Sequence, residues 1–370
     1  MTVLVTGASG FVGSAVVRQL LAAGYAVRAL VRESSPLANL DGLRVEIATG
    51  DLDDRASLGR ALRGCSGLFH VAADYRIWVP DQGRMLATNV DGTRNVMRAA
   101  LAAGIRRIVY TSSVAALGVP EHGPGDEDTP VLEQDMIGPY KRSKFLAEAL
   151  VRRMIADEAL PAIIVNPSTP VGPFDVRPTP TGRMIVEAAA NRMPAYVDTG
   201  LNVVHVDDVG RGHVLAYEKG RIGRRYILGG DDMPLAAILA RIAEMYGRRP
   251  PRLRLPHAAV LPIALLSQTW SRFSGGEPFA TVDGLRMARK RMFFTSERAR
   301  CELDYAPRPA GDALRDAVAY FAARGLCPRL PLAPATPRPS SGPPAHDDAG
   351  RAGTAGDQRA GSVSRLSRSR

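Results

Sequence analysis

The sequence has few cysteines, few lysines and no long apolar run. Its three cysteines, Cys65, Cys301 and Cys327, are too few and too scattered for a disulfide framework or a structural zinc site. No run of about eighteen or more apolar residues occurs, which argues against a membrane-spanning helix. The chain opens directly into an apolar segment, with no basic residues ahead of it, so we expect no signal peptide and a cytoplasmic protein.

Basic residues outnumber acidic residues in this chain. The chain carries 48 basic and 37 acidic residues, a net charge of +11, and only 4 of the basic residues are lysines. The surplus is spread along the chain and no nucleic-acid-reading motif accompanies it, so we expect no nucleic-acid partner. The last forty residues, 331–370, contain six prolines and no aromatic residue, a composition that predicts a disordered tail.

Apolar, β-branched runs alternate with amphipathic stretches over the first half of the chain. Runs that are apolar throughout, with helices between them, predict a parallel sheet covered on both faces. After about residue 174 prolines interrupt the pattern, which predicts a smaller C-terminal substrate-binding lobe. The predicted strands are Thr2 to Thr6, Ala26 to Val31, Val45 to Ala48, Gly67 to Val71, Arg107 to Thr111 and Ala162 to Val165.

These patterns predict an α/β protein with a Rossmann-type, doubly wound parallel sheet. We expect residues 1–173 to form a dinucleotide-binding core, to which about 200–230 add a strand and a helix. Residues 174–327 are expected to form mainly the substrate-binding lobe, and 328–370 the tail. Ligands of such sheets bind beyond the carboxyl ends of the strands.

Three glycines at intervals of three follow the first predicted strand and lead into a helix predicted from Phe11 to about Ala23. Glycine lets the backbone turn sharply and approach a pyrophosphate, whose charge is met by free N–H groups at the helix N-terminus. The spacing is Gly-x-x-Gly-x-x-Gly rather than the Gly-x-Gly-x-x-Gly of many dehydrogenases. The predicted pyrophosphate cradle is Gly7, Ser9, Gly10, Phe11, Val12 and Gly13.

Two further segments bear on the nucleotide. Arg32 ends the second predicted strand, where an acidic residue would bind the ribose 2′-hydroxyl of NAD and a cation would pair with the 2′-phosphate of NADP. Glu33 follows it, so NADP is favoured and NAD remains the alternative. After the third strand, Asp51 and Leu52 could hold the adenine edge; equally, Asp51 could cap the helix that begins near Asp53.

Tyr140 and Lys144 are four positions apart behind a Gly-Pro pair that suits a helix start, so they share one helix face. A nearby cation favours the phenolate, which makes Tyr140 a usable proton carrier. Ser113 follows the fifth predicted strand and faces the same crevice; it would hydrogen-bond the substrate oxygen. Ser112 and Thr111 compete with Ser113 for this role.

Several segments together resemble the extended short-chain dehydrogenase/reductase family, also called the NAD-dependent epimerase/dehydratase family, over about residues 1–325. Within it the chain is similar to hopanoid-associated sugar epimerases and to dihydroflavonol-4-reductases. The segments are 6–13 (TGASGFVG), 70–78 (HVAADYRIW), 88–93 (TNVDGT), 111–113 (TSS), 140–144 (YKRSK), 165–173 (VNPSTPVGP) and 198–209 (DTGLNVVHVDDV).

The resemblance implies roles for particular residues. It implies a catalytic triad of Ser113, Tyr140 and Lys144, in which the last two also contact the cofactor, and a helix residue, Asn89, that supports the site. A homodimer follows only by analogy with the family. The further cofactor-binding residues that it implies are Ala72, Ala73, Pro167 and Ser168.

The substrate is less defined. Nucleotide-sugar epimerases carry an arginine that clamps the diphosphate shortly before the His-Val-Asp-Asp stretch, whereas this chain has Leu201, Asn202 and Val203 there. That puts a nucleotide diphosphate in doubt. Mostly apolar pocket candidates would suit a lipid-linked, terpenoid or ring ketone substrate, although they could equally be core residues. These candidates are Tyr75, Ile77, Trp78, Phe174 and Tyr196.

Other classes of function receive little support. No histidine or cysteine pair has metal-ligand spacing, so we predict no metal, and His205 and His213 are expected to be structural. The basic and apolar segment from Arg286 to Phe294 could touch an anionic membrane surface. Three functions remain: an NADP-dependent reductase or dehydrogenase, which is favoured, a sugar epimerase with tightly bound NAD(P), and a non-catalytic nucleotide-binding protein.

Overall fold

The computed structural model describes residues 1–76, 79, 81–274 and 281–331. Ile77, Trp78 and the predicted tail from residue 332 onward lie outside the described residues. In the part that is described, no helix is both long and apolar enough to cross a membrane.

The strands are numbered in chain order. Predicted and observed bounds agree closely, with one-residue differences at three strand ends and two extra residues on β6. The strands are β1 Thr2–Thr6, β2 Ala26–Val31, β3 Val45–Thr49, β4 Gly67–His70, β5 Ile108–Thr111, β6 Ala162–Pro167, β7 Thr169–Val171, β8 Ala195–Val197, β9 Gly200–His205, β10 Arg225–Leu228, β11 Asp231–Pro234 and β12 Leu253–Leu255.

The helices follow the same numbering. A π-helical turn, Ala87–Asp91, joins α3 to α4, and 3₁₀ turns occupy Val114–Ala116 and Glu133–Asp135. The α-helices are α1 Phe11–Ala22, α2 Arg55–Leu62, α3 Gln82–Leu86, α4 Gly92–Ala102, α5 Gly138–Glu158, α6 Pro180–Ala189, α7 Val206–Lys219, α8 Leu235–Met245, α9 His257–Ser274, α10 Val282–Ala288, α11 Glu297–Leu303 and α12 Ala310–Ala323.

Seven strands form one parallel sheet in the order β3-β2-β1-β4-β5-β6-β10. Val5 of β1 is paired with Ala29 of β2 on one side and with Phe69 of β4 on the other. Because the strands are parallel, their carboxyl ends meet at one edge, where the glycine-rich turn and the segment after β5 emerge. The predicted Rossmann-type α/β fold is confirmed.

Helices cover both faces of this sheet, because side chains of a strand alternate between its faces. Val3 and Val5 pack with α1 and α7 in one buried cluster, whereas Leu4 packs with α2, α4 and α5 in another. All three are fully buried. Strands that are buried on both sides account for the apolar runs seen in the sequence.

A third apolar cluster lies in the second half of the chain, where β11, β9 and β7 form a separate sheet. It includes Ile185 of α6, Ile238 of α8 and Phe321 of α12. The Tyr246 hydroxyl donates to the Pro328 carbonyl at 2.7 Å, and Leu330 packs against the same cluster. Residues 328–330, which we had assigned to the tail, therefore contact this cluster.

Candidate active site

The glycine-rich turn is tightly folded. Gly7 has φ +68°, and a Cβ placed on it would lie 2.7 Å from the Ala72 Cα; a Cβ on Gly13 would lie 2.0 Å from the Gly7 carbonyl oxygen. The first intrahelical hydrogen bond of α1 runs from Ser14 N–H to the Gly10 carbonyl at 2.9 Å. The N–H groups of the preceding residues, 11–13, therefore stand ahead of the helical ladder, as an anion-binding helix start requires.

A chain of hydrogen bonds holds this turn against the end of β4. The Thr6 hydroxyl lies 2.8 Å from His70 Nδ1 and accepts from the N–H of Ala72 at 3.2 Å, while His70 Nε2 lies 3.1 Å from the Thr93 hydroxyl. The Thr93 hydroxyl in turn donates to the Asn89 carbonyl. Burial lowers the pKa of His70 to about 3, so the imidazole is neutral, with its proton on Nε2.

Ser113 and Tyr140 are brought together. Ser113 is buried just beyond β5, and its hydroxyl accepts from the Ala115 N–H at 3.1 Å. Its side chain also lies close enough to Tyr140 to lower the pKa of the phenol. Burial raises the pKa of the Tyr140 phenol, and the hydrogen bond with Ser113 only partly opposes that shift. In this structure desolvation outweighs the stabilisation that a nearby cation is expected to give the phenolate.

Lys144 lies one turn after Tyr140 on α5 and is also buried. Its ammonium donates to the Thr111 carbonyl at 2.8 Å and lies 5.3 Å from the centre of the Tyr110 ring. Burial lowers the pKa of Lys144 to about 8, and the charge of Glu148 opposes that shift. Thr111, one of the competing hydroxyl candidates, instead bonds His213 Nε2 through its side chain at 2.9 Å.

Three buried or half-buried residues next to Ser113 and Lys144 were not predicted from the sequence: Glu148, Asn166 and Arg225. Glu148 accepts from the Asn166 amide at 2.8 Å and from the Arg225 guanidinium at 3.2 Å. The same Asn166 amide donates to the Ser113 carbonyl at 3.1 Å. The only sequence signal was helical spacing, since Glu148 follows Lys144 by four residues.

Asn89 connects the segment after β4 to α5. Its side chain accepts from the Asp74 N–H at 2.7 Å and donates to the Asp74 carbonyl and to the Ser143 hydroxyl, both at 2.8 Å. Ser143 itself donates to the carbonyl of Tyr140. Asn89 contacts backbone and a neighbouring hydroxyl rather than Ser113, which agrees with the supporting role that the resemblance implied.

The residues predicted to choose the nucleotide lie at the ends of β2 and β3. Arg32 is exposed directly after β2. Burial alone would raise the pKa of Asp74, but hydrogen bonds from Arg76 and the charges of Arg76 and Arg32 lower it, so these two guanidiniums lie near one carboxylate.

Asp51 is exposed after β3, and its carboxylate accepts only from the nearby Asp53 N–H at 3.2 Å among the described residues. The cap of α2 is Asp54, which accepts from Ala56 and Ser57 N–H groups, so the capping alternative for Asp51 is wrong. The Leu52 carbonyl accepts from Asn95 at 3.0 Å.

Ala73 and Pro167 flank the same edge of the sheet. Pro167 is the last, buried residue of β6, and Ala73 is half-buried beyond β4. Ser168 follows Pro167; its N–H donates to the Leu228 carbonyl, but its hydroxyl is buried and without a hydrogen-bond partner among the described residues. A buried hydroxyl without a partner is costly, so Ser168 fits a polar ligand group at this edge.

The predicted substrate residues are only partly grouped. Burial and, to a lesser extent, the charge of Asp175 raise the pKa of Tyr75. Tyr75 therefore lies near Asp175, the residue that follows Phe174. Phe174 has φ +73°, and the Asn39 amide donates both to its carbonyl and to that of Ser9 in the glycine-rich turn.

Tyr196 lies apart on β8, paired with Arg254 of β12, and Trp78 is outside the described residues. Among those described, no group of His, Cys, Asp or Glu side chains could hold a metal ion.

The model of the NAD dependent epimerase/dehydratase family matches residues 3–229 of this chain. "Putative dihydroflavonol 4-reductase" from Synechocystis sp. is 42% identical over 326 residues, covering 87% of this chain and 94% of that protein. "Sterol demethylase protein B" from Methylococcus capsulatus is 39% identical over 328 residues, covering 88% and 100%. The crystal structure of gox2253 is 53% identical with a TM-score of 0.80, covering 88% of this chain and 99% of that one.

Proposed function

The chain belongs to the NAD-dependent epimerase/dehydratase family of extended short-chain dehydrogenases/reductases, and on that premise we propose that it reduces a ketone with NADPH. The ketone and its secondary alcohol are proposed to belong to an apolar, terpenoid- or hopanoid-like small molecule. The observation that carries this proposal is the proximity of the buried Ser113 to Tyr140, one helical turn from the buried Lys144.

The proton chemistry of this face favours reduction. A raised pKa keeps the Tyr140 phenol protonated at neutral pH, so it is ready to donate a proton to a carbonyl oxygen that accepts hydride. Ser113 would hydrogen-bond the same oxygen. Lys144, whose ammonium is anchored on the Thr111 carbonyl, adds positive charge beside the phenol. An epimerase must begin by removing a proton from the substrate, which requires the phenolate form of Tyr140.

The cofactor fits the described residues. A bound nicotinamide dinucleotide supplies the hydride; the N–H groups of residues 11–13 and the close-packed glycines would hold its pyrophosphate. The buried hydroxyl of Ser168, which has no hydrogen-bond partner in the described part of the chain, would take a polar group of the nicotinamide end. The exposed Arg32, with Arg76 nearby, supports a 2′-phosphate and hence NADP over NAD.

Asn202 is one of the three residues where nucleotide-sugar epimerases carry a diphosphate-clamping arginine, and its contacts support a substrate without a nucleotide. Asn202 is buried, and its amide donates to the Gly230 carbonyl, the Asp232 carboxylate and the Phe294 carbonyl, while its oxygen accepts from Gly230 N–H. These contacts tie β9 to its neighbours and use up the side chain. The C-terminal lobe, which we predict to span 174–327, would then hold an apolar substrate instead.

The test compares Tyr140→Phe with the wild type and with Tyr25→Phe. Tyr25 lies between α1 and β2 and is the matched control. We expect Tyr140→Phe to lose NADPH oxidation in the presence of cyclic terpenoid ketones while NADPH fluorescence still reports binding. Tyr25→Phe should keep both. Unchanged turnover in Tyr140→Phe would contradict the proposal. Purified protein that retains NAD and epimerises a sugar without oxidising NADPH would establish the epimerase alternative instead.

A further inference from the structure

Helix α9 is amphipathic, but its apolar face is exposed to solvent. Its inward stripe is made mainly of small or polar residues among the described side chains, with Ala264 and Ser271 buried and Val260, Ser267 and Gln268 half-buried. Its large apolar side chains face outward instead, although a surface helix normally turns that face to the core. The exposed side chains, with their exposed fractions, are Trp270 (73%), Leu266 (72%), Leu265 (52%), Ile263 (49%) and Leu261 (37%).

These five side chains, the apolar strip, lie within ten residues of the 18-residue α9, a length of about 15 Å. No described residue covers it. Exposed apolar strips of this extent mark a contact surface rather than ordinary scatter.

Basic residues flank the strip at its amino-terminal end. The ring nitrogen Nε2 of His257, the first residue of α9, lies 3.2 Å from the carbonyl of Ala288, the last residue of α10. The exposed side chains of Arg286, Arg289 and Lys290 are thereby held beside α9. Arg252 is exposed just before α9.

The same segment lies against the helix that carries Tyr140. The ammonium of Lys141, the next residue, is 3.5 Å from the Met292 sulfur. A Cβ on Gly138, at the start of α5, would lie 3.3 Å from a carboxylate oxygen of Asp283 in α10. The strip and its basic flank therefore adjoin the candidate active site.

We propose that α9, with the basic flank of Arg252, Arg286, Arg289 and Lys290, docks in the plane of an anionic lipid bilayer. Apolar side chains on one face, a tryptophan among them, and cations alongside are what a helix lying in a bilayer surface needs. A symmetric contact between two copies would instead bring each basic flank toward its equivalent, which like charges oppose. The proposal does not depend on the reaction proposed above.

The test is a flotation assay of the full chain with vesicles of phosphatidylcholine alone or of phosphatidylcholine mixed with phosphatidylglycerol. We expect the protein to float only with the anionic vesicles, and to be released by high salt. Leu266→Glu combined with Trp270→Glu should abolish flotation. Ile222→Glu, a matched change at an apolar side chain that is 51% exposed elsewhere, should leave it intact.

Neutralising the flank separates charge from apolar insertion. Arg289→Gln and Lys290→Gln should each weaken binding to anionic vesicles by about fivefold. Circular dichroism of every variant should match the wild type. Wild-type protein that floats with neither type of vesicle would overturn the proposal. So would a dimer, detected by sedimentation velocity, that the Leu266 and Trp270 changes dissociate, because a second copy would then cover the strip.

Discussion

The carboxylate of Glu148 on α5 accepts a hydrogen bond from the side-chain amide of Asn166 on β6 at 2.8 Å. That amide also reaches the Ser113 carbonyl, and the other oxygen of Glu148 accepts from Arg225 on β10. A single carboxylate thus ties the helix that bears Lys144 to two neighbouring strands. It is a positioning residue, since it acts through these groups.

Replacing Glu148 tests this arrangement. Glu148→Gln keeps the shape but leaves the half-buried Arg225 cation without its buried partner, so we expect the free energy of unfolding to fall by about 3 kcal/mol. The change also removes the negative charge that raises the pKa of Lys144, so that pKa should fall below about 8. Urea denaturation measures the first effect, and the pH dependence of kcat/KM measures the second.

The matched control is Glu158→Gln at the end of the same helix. Glu158 pairs with the exposed Arg98 at 3.1 Å, and a surface pair of this kind contributes about 0–1 kcal/mol. Equal losses of stability in the two variants, with no shift in the pH profile of either, would show that Glu148 is an ordinary surface-like charge.

The two reaction directions should differ in pH dependence. The pKa of Tyr140 is raised, so its proton is in place for reduction at neutral pH, whereas alcohol oxidation needs the rare phenolate. Oxidation should therefore rise with pH up to about 8 and level off above it, because Lys144 then loses its charge. Reduction should be flat below about pH 8 and fall above it. Oxidation that is already flat between neutral pH and 8 would contradict this.

Most of the fold could be read from local sequence. The strands of the parallel sheet are apolar along their whole length, because each is buried on both faces, and glycine and proline separate them from the helices. The glycine-rich turn has a local steric cause, and its spacing is visible directly. The elements after β6 were less predictable, since β7, β8 and β12 have only three residues each and depend on distant partners.

The site was predictable where residues are close in sequence and not where the fold brings them together. Tyr140 and Lys144 follow from helical spacing. Glu148 and Arg225 are 77 residues apart in the sequence, and Asn89 and Ser143 are 54 apart. No local sequence pattern predicts contacts between residues so far apart. The pKa of Tyr140 depends on desolvation, which appears only once the chain is packed around it.

Adding one methyl group to the glycine-rich turn should remove the nucleotide site. The Cβ of Gly13→Ala would lie 2.0 Å from the Gly7 carbonyl oxygen, so the turn must open. We expect affinity for NADPH to fall at least about tenfold, equivalent to about 1.4 kcal/mol. Isothermal titration calorimetry measures the change.

Gly59→Ala is the control for that substitution. Gly59 lies in α2 with nothing within 4 Å of the added Cβ, so the change should leave binding unaltered and stabilise the protein by about 0.5–1 kcal/mol. Normal NADPH binding by Gly13→Ala would show that the turn is not the pyrophosphate cradle.

Removing the guanidinium after β2 tests the choice of nucleotide. Arg32 is exposed and carries a charge that would form charge-assisted hydrogen bonds with a 2′-phosphate. Such bonds contribute about 1.5–3 kcal/mol each, so Arg32→Ala should weaken NADPH binding by about ten- to a hundredfold and leave NADH binding nearly unchanged. Arg63→Ala, just after the end of α2, removes an exposed guanidinium that does not follow β2 in the chain and should change neither. If Arg32→Ala binds NADPH normally while Glu33→Ala loses NADH, the acidic neighbour selects the nucleotide and NAD is the cofactor.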